Sequence, residues 1–302
     1  MICAPVTLFV YNRPDHTRRT IEALRANALA RESDLVVYSD APKSEAQAEN
    51  VREVRKYIRE IEGFKSLTVI ERATNFGLAR SIIDGVTAIL NKYGRIIVLE
   101  DDMETSPYFL TYMNEALEKY ADEDHVVSIH GYVYPVAQML PEAFFLPGAD
   151  CWGWATWSRG WACFNADGQF LLEELKRRNL FRAFDYNGSY PFTKMLEDQL
   201  RGANDSWAVR WYASAFLADK LTLYPGRSLV HNIGNDNSGT HCGDSAGMDA
   251  QLSKTPIDLS KVAIEPSQKG RQAFEEFFRE IDKGFLGRLA RKGLSYLKAW
   301  VR

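Results

Sequence analysis

Three consecutive carboxylates, Glu100-Asp101-Asp102, end the apolar run Arg95-Ile96-Ile97-Val98-Leu99. Acids packed this closely raise one another's pKa unless positive charge offsets them, and a hard divalent cation with oxygen ligands suits that task. The chemistry they predict is a Mg2+ or Mn2+ site for a nucleotide diphosphate. A solvated acidic loop capping the helix after Ser106-Pro107 is the plainer alternative. Asp205, in Asn204-Asp205-Ser206-Trp207, stands at or near a predicted helix start, where it is either a cap or a carboxylate free for proton transfer. The stretch from Ser228 to Gly243 is rich in glycine, asparagine and histidine, a composition that predicts a loop closing over a ligand.

These residues need a frame. A strand apolar on both faces belongs to a buried, largely parallel sheet, whose strand ends open into the crevice where such sheets bind ligands. The first hundred residues repeat a strand-then-helix rhythm, which predicts a doubly wound sheet. Strand one is Val6 to Tyr11, and the turn Asn12-Arg13-Pro14-Asp15 starts a helix with Ile21, Leu24 and Ala28 at helical spacing. Strand two is Leu35 to Tyr38, ending at Ser39-Asp40-Ala41-Pro42, and a charged helix follows from about Glu45 to Glu60. Strand three is Leu67 to Ile70, after which Thr74-Asn75-Phe76-Gly77 turns into a helix around Ile82 to Leu90. Strand four carries the acids. Asn12, Arg13, Asp40, Asn75, Arg80 and Asp102 therefore collect on one sheet edge, the predicted binding edge.

Beyond a strand at Val126 to Ser128 the composition shifts to tryptophan and glycine, as in Cys151-Trp152-Gly153-Trp154-Ala155-Thr156-Trp157, then Trp161, Trp207 and Trp211. Such aromatic residues build either a core or a shelf for sugar rings. The organisation expected is a nucleotide-sugar-binding half over 1–122, an acceptor and catalytic half over 123–267, and a helical tail over 268–302. From Lys283 to Arg302 that tail carries six cations and no acid beside the apolar Phe285, Leu286, Leu289, Leu294, Leu297, Trp300 and Val301. It fits an anionic membrane surface, or a terminal helix packed on the domain or pairing two subunits.

At 302 residues the chain is one large α/β domain or two small ones, and 46% hydrophobic with 25% charged residues is ordinary for a globular enzyme. A net charge of -3 argues against general nucleic-acid binding, which needs a basic face. Cys3, Cys151, Cys163 and Cys242 lie too far apart for a zinc knuckle or a disulfide framework and read as reduced thiols. The N-terminal run Pro5-Val6-Thr7-Leu8-Phe9-Val10 is too short for a secretory signal core, and no apolar stretch reaches bilayer length.

Taken in order, Asn12-Arg13-Pro14, Ser39-Asp40, Asn75-x-Gly77, Glu100-Asp101-Asp102, Gly153-Trp154 and Asp205-x-Trp207 resemble a GT-A glycosyltransferase, most similar to the inverting N-acetylglucosaminyltransferase I type. The likeness covers roughly Pro5 to Gly243. It implies an α/β GT-A (Rossmann-like) fold, a mostly parallel sheet flanked by helices. It further implies Asp102 on Mn2+, Glu100 and Asp101 against ribose and donor sugar, Arg13 and Asp40 on the uridine, and Asp205 as catalytic base. Glu197 and Asp198 are rivals for that last role. Some GT-A enzymes add a late histidine to the metal, which makes His231 and His241 candidates, His241 favoured by its glycine-rich surroundings. The alternative for either is a loop histidine bonded to backbone, and Arg227 in the same region is a candidate for a phosphate contact.

The resembled enzymes are lumenal and membrane-anchored, whereas this chain opens on its first strand, so compartment and acceptor do not carry over. Reduced cysteines and a basic tail favour a cytoplasmic enzyme, peripheral on the inner membrane face. Its expected substrates are a UDP-sugar and a glycan or lipid-linked saccharide, as in O-antigen, capsule or lipooligosaccharide precursors. A sugar-phosphate nucleotidyltransferase competes, but needs a glycine-rich basic loop where Tyr11-Asn12-Arg13-Pro14-Asp15-His16 stands. A catalytically inactive glycan-binding module is the other alternative.

Overall fold

The fold is taken from a computed structural model that describes residues 2–234, 236 and 247–281. Strands and helices alternate first: β1 (Val6–Val10), α1 (Pro14–Arg25), β2 (Asp34–Ser39), α2 (Glu45–Arg59), β3 (Ser66–Glu71), α3 (Leu78–Tyr93) and β4 (Arg95–Glu100). Each lies within two residues of its sequence expectation except α3, which is longer at both ends. Pro14 opens α1 with the fixed φ a first helical turn wants, and Gly94, left-handed at φ 76°, ends α3 and turns the chain into β4.

The second half continues as β5 (Met103–Thr105), α4 (Phe109–Lys119), β6 (Val126–His130), β7 (Ala143–Pro147) and β8 (Trp154–Trp157). Then come α5 (Ser158–Trp161), α6 (Gly168–Arg177), α7 (Phe181–Phe184), α8 (Phe192–Leu200), α9 (Trp207–Leu217), β9 (Leu221–Pro225) and β10 (Val230–Asn232). Residues 268–281 are helical. Eight strands form one sheet in the order β3-β2-β1-β4-β8-β6-β9-β7, and β10 pairs with β5 in a separate ribbon. β1 through β4 pair in parallel, whereas β8 inserts antiparallel between β4 and β6. The result is a mixed sheet flanked by helices, the GT-A architecture expected.

Period-two alternation sorts the strands between two layers. Ile97 and Leu99 of β4 face a core with Ile21 and Leu24 of α1 and Tyr112 and Met113 of α4. Ile96 and Val98 face Ile82, Val86 and Ile89 of α3 and Trp207 and Trp211 of α9. The tryptophans are mostly core: Trp154, Trp157, Trp161, Trp207 and Trp211 are buried, with Trp154 stacked on Trp207 at 5.5 Å between centroids. Trp152 alone among that run is half-buried. A third, aromatic cluster joins α6, α8 and α9 to Phe274, Phe277 and Phe278 of the last helical segment.

Topology fixes where α9 begins. It leads through Asp219-Lys220 into β9, so it runs opposite to β9. β9 is parallel to β6, which is antiparallel to β8, which is antiparallel to β4. β9 therefore points the same way as β4, and the start of α9 lies at the edge where β4 ends. α3, entered from β3 and left into β4, also begins at that edge.

Among the described residues no helix is long and apolar enough to cross a membrane. The basic segment from Lys283 onward lies outside the described residues. Trp154 carries the packing between sheet and α9, so Trp154→Ala should lower unfolding free energy by about 3–5 kcal/mol in a urea melt. A loss under about 1 kcal/mol would mean the tryptophan cluster does not bind the layers together.

Candidate active site

The acidic triplet is not a solvated loop: Asp101 is 4% exposed and Asp102 6%, with Glu100 half-buried. The guanidinium of Arg13, at the turn after β1, donates through Nη2 to Oδ1 of Asp101 and to Oδ2 of Asp102, the latter at 2.8 Å. Burial works against the Arg13 charge, but the two aspartates more than offset it and its pKa rises. One guanidinium does not neutralise three acids. Burial first, then Asp102 and Asp101, push Glu100 up to about 8, and burial also raises Asp101 against the pull of Arg13.

Among the described residues, buried Oδ1 of Asp102 has no hydrogen-bond partner, and neither has Nη1 of Arg13. The chain after β10 closes over them, with the amide of Ile233 donating to the Asp102 carbonyl at 2.8 Å. A Cβ on Gly234 would stand 2.2 Å from Asp102 Oδ2, so only glycine fits here. An orphaned carboxylate oxygen beside excess negative charge suits a hard cation that takes one or two protein carboxylates and completes its shell from substrate phosphate and water. The described residues alone hold no cluster of three ligating side chains.

The neighbouring wall is built around Asp40. Its carboxylate accepts from the backbone amides of Ala41, Phe76 and Gly77 at 2.9 to 3.1 Å, and Asn75 Nδ2 donates to the Ala41 carbonyl at 2.6 Å. Asp40 thus ties the end of β2 to the turn before α3, a bracing use that sequence reading did not anticipate. Arg80 stacks on Phe76 at 4.1 Å, and Arg72 lies between Tyr38 and Phe76 while pairing with Asp84. Asn12 follows β1 at the same edge, half-buried.

Asp205 is not the helix cap. Ser206 is, accepting from the Val209 amide at 3.2 Å, and Asn204 Oδ1 accepts from the Ser206 amide at 3.0 Å. Asp205 is left 70% exposed with one contact, the guanidinium of the buried Arg210 at 3.3 Å. Arg210 is held in turn by the carbonyls of Ser206 and Ala166. Desolvation lowers its pKa and Asp205 acts the other way. Of the rivals, Asp198 is occupied by Lys194 and Arg201 on the surface of α8. Glu197 lies one residue before it on the same helix.

The glycine-rich stretch divides. His231 sits on β10 opposite Glu104, with Nδ1 2.9 Å from the Ala250 carbonyl, the backbone-bonded alternative. His241, like Cys242, lies outside the described residues. The guanidinium of Arg227 pairs with Glu142 at 2.6 and 2.7 Å and donates to the Pro256 carbonyl at 3.0 Å. Two residues were missed in the sequence. His16 has Nε2 3.2 Å from the Ile233 carbonyl and from Asp236 Oδ2, beside the triplet's cover. Asp150 accepts from the Cys151 amide at 2.8 Å and stands 3.8 Å from the buried His130, where the loop into β8 passes the end of β4. Pro14 and the Asp150-x-Trp152 spacing were the only local signals for them.

Residues 6–174 match the family described as Glycosyl transferase family 2. Among solved structures the chain is similar to the mannosyltransferase PcManGT from Pyrobaculum calidifontis in complex with GDP-Man and Mn2+, at 17% identity over 43% of this chain and 35% of that one, TM-score 0.31. It is also similar to S. aureus TarS, at 15% identity over 48% and 25% respectively, TM-score 0.31. The chain thus spans about a third of the first and a quarter of the second. No curated protein matches it.

The buried acids give a pH signature. Because the folded-state pKa of Glu100 lies above its unfolded value, the stability it contributes is complete below about pH 4.5 and is lost as pH rises through about 8. With a chelator present, Glu100→Gln should therefore flatten the fall in thermal midpoint between pH 5 and 8. Parallel curves for variant and wild type would contradict the assignment.

Proposed function

The chain belongs to glycosyl transferase family 2, and from that premise we propose that it moves GlcNAc or a related hexose from a UDP-sugar to a glycan or lipid-linked saccharide. The transfer is read as metal-dependent and inverting, in cell-surface polysaccharide or lipopolysaccharide synthesis, by a cytoplasmic enzyme peripheral to the membrane. The observation that carries this reading is an exposed carboxylate that does not cap its helix, Asp205, at the same sheet edge as buried acids with an orphaned oxygen.

Single displacement at a sugar carbon requires one group to take the proton of the incoming hydroxyl, and inversion needs only one such carboxylate. Asp205 is exposed enough to meet an acceptor, and Arg210 holds its carboxylate in place without capping chemistry competing for it. At the other end of the reaction, Mn2+ or Mg2+ bound at Asp102 would supply positive charge against the departing diphosphate. Arg13 keeps Asp101 and Asp102 in register, and Asp101 and Glu100 are read as the contacts to ribose and donor sugar. The Asp40 brace, with Asn75 and Asn12, forms the wall for the nucleoside.

Asp205→Asn should reduce turnover at least about a hundredfold while leaving donor affinity near wild type. Near-wild-type turnover in a nucleotide-release assay would remove Asp205 as the base. The donor should emerge from thermal shifts with UDP-, GDP- and dTDP-sugars, with and without Mn2+, since saturation at about a hundred times Kd stabilises by about 2.7 kcal/mol. A shift with a GDP- or dTDP-sugar alone would replace the UDP assignment.

A further inference from the structure

Asp205 and Arg210 open onto a cavity of about 600 Å3 between α3 and the start of α9. That volume is within the roughly 300–1,000 Å3 of small-molecule sites. Ala79, Ile83 and Thr87 follow one row of α3 at i, i+4 spacing, and Arg80, Asp84, Ala88 and Asn91 follow the adjacent, more polar one. From Arg80 to Asn91 the helix advances about 16 Å. Asp205 stands toward the start of α3, because α3 and α9 both begin at the edge where β4 ends.

We infer that this groove is the acceptor subsite, in which a short oligosaccharide lies along α3 with the hydroxyl to be glycosylated at Asp205. A pyranose has an apolar C–H face and a girdle of hydroxyls, which matches an apolar floor flanked by side chains that both donate and accept. Asn91 offers an amide, Asp84 a carboxylate 52% exposed, and Arg80 a guanidinium oriented by its stacking on Phe76. A bare lipid chain would set the Asn91 amide and the half-exposed Asp84 carboxylate against hydrocarbon. The assignment moves Arg80 from the donor side to the acceptor side. It rests on the reading of Asp205 as the base, since that places the acceptor hydroxyl here.

The probe is a glycan array bearing mono- to tetrasaccharide fragments of bacterial surface polysaccharides. Ala88→Arg and Asn91→Trp fill the far end of the groove at exposed helical positions away from the reacting atoms. Each should lower apparent affinity for the longer fragments by at least about tenfold relative to the monosaccharides, with the thermal midpoint near wild type. Asp205→Asn should keep the wild-type array profile. Retention of the longer fragments by both filled variants, or no glycan held by wild type, would overturn the groove. Full turnover by Asp205→Asn with loss of binding in the filled variants would instead remove the base assignment and leave the groove standing.

Discussion

The contact of Arg13 with Asp101 and Asp102 is the constraint around which the rest is arranged. Three acids end a strand whose preceding four residues are essentially inaccessible, and carboxylates there are costly unless paired and hydrogen-bonded. The guanidinium engages two of them, burial raises the pKa of Glu100, and one oxygen of Asp102 has no partner among the described residues. Breaking such a buried pair by removing one side typically costs about 3–5 kcal/mol, so this corner cannot be cheap to alter. Its residual negative charge is what the proposed cation would offset.

The fold brings distant groups to that corner through strand direction alone. Arg13 and Asp101 are 88 residues apart but adjacent because β1 and β4 are parallel neighbours ending at one edge. Asp205 arrives by another route: β8 reverses the sheet, β6 and β9 restore its direction, and α9 must then begin where β4 stops. The ribbon of β5 and β10 seals the back, and Gly234 is the residue whose lack of a side chain lets the seal close on Asp102. Groups from β1, β2, β4 and α9 thus reach one edge although these elements are far apart in the chain.

Much of this was legible in the residues. Fully apolar runs bounded by short polar turns marked β1 to β4, and the same logic put Asn12, Arg13, Asp40, Asn75 and Asp102 on one edge. What local pattern could not supply was partnership. Asp40 reads as a free acid after a strand, and only the return of the chain at Phe76 and Gly77 reveals that its oxygens brace a turn. Arg227 reads as a loop cation until Glu142 is found beside it. Asp205 and Ser206 both carry capping chemistry, and backbone geometry alone decides that serine caps and aspartate does not. β8 was hidden because a tryptophan-rich run that is both strand and core has no alternation to betray it.

The account turns on whether the triplet serves a cation, and Mn2+ binding measured by electron paramagnetic resonance with UDP or GDP present asks that directly. Wild type should bind the ion and Asp102→Asn should bind it at least about a hundredfold more weakly, as loss of an anionic ligand requires. Equal affinity in the two proteins would mean that the acids beside Arg13 have a structural purpose, and the proposed chemistry would have to be placed elsewhere.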